Sequence, residues 1–567
     1  MPTISVSCAD LEHLVGRPMD ANEVESWLPI VKGELKDHNP ATGELRIEVR
    51  DSNRPDLWCC EGIARQIRIK LAGSAPAYAC FKPALRPKRR LVVEPGLEQV
   101  RPYVAACAAV GCSVTDEGLI QLIQTQEKLA DIFGRKRRSV SIGLYRLQRI
   151  AFPVTYALVN PDEVRFTPLG FEEEITLREI LAVHPKGIEY GSILDGKPGV
   201  PLLRDAHGRV LSFPPIINSR DIGEVQVGDK ELLVEVTGTD LRMVLLALNI
   251  LAVNLADRGA AIEPVEIFYP QATEIGKRVR TPHDLGRTRS LPLTAVQSAL
   301  GQPLPAGQVR DALLAYGYQA KLSRDGISVK LPPYRNDMMH DVDVVEDVAI
   351  SLGYDRFELM MPSQFTVGGL SRLEQVSDRV RELMVGIGFQ EVISNVITSR
   401  QELVERMRLA GSDMDQVVEI DNVMSQNYSC LRQWMTPSLL RVESASTRAF
   451  YPHRLFEVGE VAVPDPGEEF GSRTMMILGA LIAHATANFS EVHSCLDLLL
   501  FYLNLPYSLE PNCHPSFLEG RSGWITSQGR SIGLIGELHP EVLEQWQVGM
   551  PTVVFELEVN AVAELLA

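Results

Sequence analysis

No stretch of this sequence is apolar for long enough to cross a membrane. Its most apolar runs, Met243–Val253 and Met475–Ala483, fall well short of the roughly 18–20 residues a spanning helix needs. The opening residues Met1-Pro2-Thr3-Ile4-Ser5-Val6 lack the basic start and apolar run of a secretory leader, so a soluble, cytoplasmic protein is expected. Cysteine is present at 8, 59, 60, 80, 107, 112, 430, 495 and 513, but no Cys-x-x-Cys pair occurs. That argues against a zinc site and against a disulfide framework, and each cysteine reads as a small buried thiol. Basic charge is also short. A net charge of −17 argues against nucleic-acid binding over the whole surface, because phosphate contacts need Lys and Arg. Internal repeats and low-complexity tracts are missing as well.

What remains is ordinary globular composition, 45% hydrophobic and 23% charged, which predicts several folded cores. The 567 residues suffice for three or four domains at roughly 100–200 residues each. Two basic clusters, Arg86-Pro87-Lys88-Arg89-Arg90 and Arg135-Lys136-Arg137-Arg138, run against the acidic trend. Either alone reads as a solvated face; two in one region suggest a local basic patch. Glu44–Val49 alternates like a strand, and Asp56–Leu71 is helical in pattern, with Ile63, Ile67 and Leu71 at four-residue steps. Pro55 and Asp56 suit the start of that helix. Ala72-Gly73-Ser74-Ala75-Pro76 breaks the pattern. A strand over Glu231–Val236 leads to an apolar helix from about Asp240 to Ala256. Farther on, a strand is expected at Ile327–Leu331, a helix at Leu373–Gly386, and strands at Met475–Ile482 and Val553–Leu557.

The sharpest local pattern runs from Pro333-Tyr334-Arg335-Asn336-Asp337 to Asp347-Val348-Ala349. On a helix from Asp341, at about 100° per residue, Asp343, Glu346 and Asp347 fall within an arc of about 100°. Val344, Val345, Val348, Ala349 and Leu352 cover the opposite face, and Asp337 stands just before the helix. Spacing alone leaves two readings open. Converging carboxylates are the hard oxygen ligands that Mg2+ takes, and an exposed amphipathic helix with an acidic first turn has the same pattern.

Tyr334-Arg335-Asn336-Asp337, Asp343-Val344-Val345-Glu346-Asp347 and Gly353-Tyr354 resemble the B5-domain signature of phenylalanyl-tRNA synthetase β subunits. The resemblance implies that Asp337, Asp343, Glu346 and Asp347 bind Mg2+. Asn53-Arg54-Pro55-Asp56-Leu57 with Glu61-Gly62-Ile63-Ala64-Arg65 is similar to the family's B1 domain. His184-Pro185-Lys186-Gly187, Leu211–Ser219 and Thr237-Gly238-Thr239-Asp240 are similar to its B3/B4 editing domain, especially in the archaeal and eukaryotic branch. Leu431-Arg432, Pro437-Ser438-Leu439-Leu440, Leu455–Gly459, Gly520-Arg521 and Ile535–Pro540 resemble its degenerate class II synthetase-like domain. The implied fold is multidomain α/β and α+β: residues 1–78 as B1, 79–275 as the editing domain, 276–360 as B5 and 361–567 as the class II-like antiparallel sheet.

The function implied is that of a phenylalanine–tRNA ligase β subunit. It would join a catalytic α subunit in an (αβ)2 heterotetramer, bind phenylalanine tRNA, and leave ATP and phenylalanine to the α-subunit site. The class II arginine for the ATP α-phosphate, and the late glycine-rich motif with its second arginine, are not found in the expected context, and His539 reads as structural. Hydrolysis of mischarged Tyr-tRNA would use a pocket built from Leu211, Asn218, Ser219, Glu235 and Thr237, in which a carboxylate or hydroxyl accepts the tyrosine phenol. For Thr239 and Asp240, helix capping competes with substrate contact. Two departures bear on that reaction. Gly143-Leu144-Tyr145-Arg146 stands where the family commonly has Gly-x-His-Asp, and Glu235 where a shorter Asp is usual. The alternative is a non-catalytic tRNA-binding or scaffold protein that reuses the same domains.

Overall fold

A computed structural model describes residues 2–50, 53–83, 85–324, 326–412 and 416–566. They fall into two units, Met1–Met360 and Met361–Ala567, so the three segments expected before residue 360 share one unit.

In the first unit, a small sheet places Glu44–Val49 between Thr3–Ser7 and Gly33–Asn39, antiparallel to both. The alternation of Glu44–Val49 buries Leu45, Ile47 and Val49. The helix behind it spans Cys60–Ala72, later than its apolar pattern suggests. Pro55–Leu57 is a separate 3-10 turn that packs onto the helix at Gly62, where a Cβ would lie 1.8 Å from the Asp56 carbonyl oxygen. Leu71 is exposed and Ile69 buried. Four-residue steps drift about 40° each, so the third apolar position has rotated out of the core. Gly73, at φ 72°, ends the helix.

The central sheet runs in the order Ile217–Asn218, Val210–Phe213, Val200–Arg204, Val154–Val159, Arg89–Val93, Ala261–Thr273, Tyr103–Val110, Glu231–Gly238, Val140–Arg146. Period-two alternation divides its side chains between two cores. Ala105, Cys107, Ala109, Leu232, Val234, Val236, Val140, Ile142 and Leu144 face the helix Leu241–Asp257, which is apolar on nearly every side. Ala106, Ala108, Leu233 and Tyr145 face inward with Tyr156 and Leu211. The sheet curls until its ends meet: the Asn218 amide donates to the Leu144 carbonyl at 3.3 Å, and Tyr145 Oη lies 2.7 Å from Ser212 Oγ.

The third segment adds a sheet, Thr288–Leu291, Gly326–Lys330, Gln319–Ser323, and the helix Asp341–Leu352. Buried charges join it to the rest of its unit. Arg54 grips Asp56 through two bonds of 2.8 Å, and Arg335 grips Asp337 in the same way at 3.0 and 2.6 Å. Both guanidinium groups lie against the ring of Tyr316, at 5.8 and 5.5 Å from its centroid. Arg65 bonds Asp257 at 2.7 Å and lies 4.7 Å from the Tyr334 ring.

The second unit is built on a seven-stranded sheet, Gln390–Glu391, His453–Pro464, Ser472–Ala483, Thr552–Glu558, Arg530–Leu538, Phe517–Ser527, Ser508–Pro511. It is antiparallel except at the first pair. Leu478, Ala480 and Ile482 pack with the helices Arg372–Ile387 and Phe489–Tyr502. The alternate residues Ile477, Leu481 and Ala483 face a second core with Met435 and Leu439. Among the described residues, no helix is long and apolar enough to cross a membrane. The cysteines are all free, but Cys8 is only half-buried and Cys513 is exposed, against the expectation of burial throughout.

Candidate functional site

A cavity of about 180 Å³ opens at the seam where the central sheet closes. Its lining includes Gly143 and Tyr145 from Val140–Arg146, Ser212 and Phe213 from the opposite end, the turn Pro214–Ile217, Asn218, Glu235, Arg137 and Lys186. Of the five residues expected to form a pocket, Asn218 and Glu235 line this one. Leu211 is fully buried in the inner core. Thr237 is fully buried beneath Arg101. Ser219 is buried at the strand end with its hydroxyl unpartnered.

Register explains the grouping. Glu235 pairs across the sheet with Gly143, Thr237 with Ser141, and Leu233 with Tyr145. Alternation therefore points Glu235, Thr237, Ser141, Gly143 and Tyr145 to one face. Burial pushes the Glu235 carboxyl up to about 7, although hydrogen bonding from Tyr145 and the charge of Arg101 pull the other way. Burial also raises the Tyr145 phenol, with the nearby carboxylate adding to the shift.

Arg101 has no sequence signal, since it lies outside both basic clusters. Its buried guanidinium bonds the Thr237 hydroxyl at 3.0 Å and carbonyl at 2.7 Å, the Ser141 hydroxyl at 3.0 Å, and the Arg137 and Arg138 carbonyls. Burial lowers its pKa to about 10. The loop it anchors carries Arg135, Lys136 and Arg137 at φ 52°, 53° and 63°, a left-handed run that costs of order 1–3 kcal/mol per non-glycine residue. Arg137 reaches across to the Pro215 and Ile216 carbonyls at 3.1 and 2.9 Å and stacks on Tyr190. The second basic cluster thus forms part of the pocket rim. The first is partly neutralised: Lys88 and Arg89 both pair with Glu263. His184 is a structural residue, bonded to the Leu169 carbonyl and to the Lys186 amide. Asp240 caps its helix by accepting from Met243 N–H at 3.0 Å.

The four acids of the B5-like segment are not gathered at one point. Asp343 turns back to accept from the Met339 and His340 amides at 2.7 and 2.6 Å. Glu346 pairs with Lys32 at 3.0 Å. Asp337 and Asp347 converge on Arg335, and Tyr318 donates to Asp347 at 2.6 Å. Burial would raise Asp337, but Arg335 holds it down to about 2. A buried guanidinium thus balances two of the four acids, Asp337 and Asp347. Among the described residues, no three Asp, Glu, His or Cys side chains are grouped as a metal ion requires. This arrangement does not fit a magnesium site.

In the second unit, Arg432 is fully buried and committed to Glu457 at 2.8 Å, Ser394 and the Glu460 carbonyl. Arg521 pairs with Glu537 at 2.8 Å. His539 caps the helix Pro540–Gln545.

Residues 358–559 match the family described as the phenylalanyl-tRNA synthetase β-chain CLM domain, and residues 289–354 match the tRNA synthetase B5 domain. The phenylalanine–tRNA ligase β subunit of Treponema pallidum is 40% identical over 525 residues, which cover 91% of this chain and 86% of that one. The Thermococcus kodakarensis β subunit is 38% identical, over 98% of each chain, and that of Borrelia hermsii 36%, over 99% of this chain and 100% of its own. The similar chains thus come from bacteria as well as archaea. The crystal structure of an N-terminal fragment of the Pyrococcus horikoshii β subunit is 37% identical, with a TM-score of 0.59, and covers 62% of this chain and 100% of the fragment.

Proposed function

The chain belongs to the phenylalanine–tRNA ligase β-subunit family, and from that membership we propose how it works. It pairs with a catalytic α subunit in a cytoplasmic (αβ)2 heterotetramer. It helps to hold phenylalanine tRNA, while ATP and phenylalanine bind at the α-subunit site. The observation that carries this reading is similarity in one order along nearly the whole chain. Residues 1–78, 79–275, 276–360 and 361–567 then serve as the B1, B3/B4, B5 and class II-like domains.

Two features of the second unit support a partnered, non-adenylating role. Arg432 is buried and committed to Glu457, which leaves its guanidinium unavailable to a nucleotide phosphate, and Arg521 pairs with Glu537 at the surface. Phe365, Val367, Met424, Phe450 and Phe470 are almost fully exposed, and a partner subunit would cover apolar groups of this kind. The cavity at Glu235 is the place we assign to the editing of misattached aminoacyl esters. There the curled sheet supplies a buried carboxyl, and Lys186 and Arg137 supply positive charge toward a tRNA end. Magnesium at Asp337, Asp343, Glu346 and Asp347 would require Arg335 and the helix cap to give way.

Coexpression with an untagged α subunit tests the central reading. Stoichiometric copurification is expected, with phenylalanine-dependent ATP–pyrophosphate exchange in the pair and none in the chain alone. Robust exchange by α-free chain would refute it.

A further inference from the structure

An editing pocket that tells tyrosine from phenylalanine must keep one hydrogen-bond acceptor for the incoming phenol. In this chain that acceptor is already engaged. The Tyr145 hydroxyl lies 2.8 Å from Glu235 Oε2 and 2.7 Å from Ser212 Oγ. It has one proton to give, so it donates to the carboxylate and accepts from the serine. Glu235 Oε1 makes no hydrogen bond and is closed off from solvent, so the oxygen that is engaged is the one Tyr145 holds.

Space is taken as well as the acceptor. Tyr145 is fully buried and belongs to the inner core with Tyr156, Leu211 and Leu233. Gly143 makes its position possible: a Cβ there would sit 2.0 Å from Tyr145 Oη and 2.6 Å from Glu235 Oε2. Because the ring is clamped by two strands and a packed core, it does not swing aside as a surface side chain would.

We propose that Tyr145 is a built-in occupant of the phenol position and bars tyrosyl esters from this pocket. The proposal rests on assigning the cavity to ester editing. It makes Tyr145 a specificity-determining residue whose hydroxyl stands where a substrate hydroxyl would have to be recognised. The extra methylene of Glu235 relative to aspartate carries the carboxyl to the tyrosine that engages it.

The test uses the assembled αβ complex and the non-hydrolysable amide 3′-tyrosylamino-3′-deoxyadenosine, with binding followed by calorimetry and hydrolysis of Tyr-tRNA measured in parallel. Wild type and Tyr145→Phe, which keeps the ring, should show no binding at the Glu235 pocket. Tyr145→Ala and Tyr145→His should gain affinity by roughly tenfold or more, the worth of one hydrogen bond to a charged acceptor. Adding Glu235→Gln should cancel the gain. Thermal unfolding confirms that each variant folds, and His serves if Ala does not. Wild-type binding equal to that of Tyr145→Ala, cancelled by Glu235→Gln, would overturn the proposal and leave the editing assignment standing. Absence of both binding and hydrolysis in every folded variant would overturn the editing assignment, and this proposal with it.

Discussion

Glu235 carries an unusual charge balance for a strand residue. It is wholly buried, and burial pushes its carboxyl up from 4.5 to about 7 against the charge of Arg101. Between those values the folded chain holds more protons than the unfolded one, so stability falls as pH rises through the window. The amide in Glu235→Gln cannot ionise, so this variant should lose that dependence. Its stability relative to wild type should rise between about pH 4.5 and pH 7.5, by at most about 3 kcal/mol. Urea unfolding of the N-terminal unit at several pH values reads this directly, and parallel curves for the two proteins would refute the assignment. The family resemblance already grouped Glu235 with Thr237, and strand alternation puts them on one face. Tyr145 registered only as a departure from a family pattern, because its contact with Glu235 depends on which strands become neighbours.

At the scale of elements, two short motifs far apart in the chain turn out to be one device. Arg54 with Asp56 and Arg335 with Asp337 make the same two-pronged grip, and both guanidinium groups lie against the Tyr316 ring. Arg335→Met would leave Asp337 and Asp347 buried without their cation, at a cost of about 3–5 kcal/mol. Arg335→Met combined with Asp347→Asn should recover part of that loss. Thermal unfolding of the three proteins decides the matter; a loss below about 1 kcal/mol for the single variant would mean that the pair is not buried in solution. The helices and strands themselves were legible wherever apolar periodicity was long, as in Leu241–Asp257 and Asp341–Leu352. The start of Cys60–Ala72 was not. There Arg54 binds the Asp56 carboxylate and Gly62 admits the turn's backbone, and neither contact leaves a mark in the apolar periodicity.

For the whole molecule, the acidic helix separates two ways of balancing charge. In the arrangement described, Arg335, Lys32 and two backbone amides satisfy the four acids, so Mg2+ titrated into the chain should produce no heat that Asp343→Ala with Asp347→Ala abolishes. A saturable signal lost in the double variant would show that the acids regroup around a metal. By itself the sequence determined the family and the acid and apolar faces, because motifs and periodicity are local properties of the chain. Only the tertiary structure decided that Arg335 serves as the acids' counter-ion, that Arg101 anchors the strained rim loop, and that Tyr145 occupies the Glu235 pocket. Each of these depends on how the folded backbone places particular donors and acceptors at the few ångströms where hydrogen bonds act, which periodicity along the chain does not record.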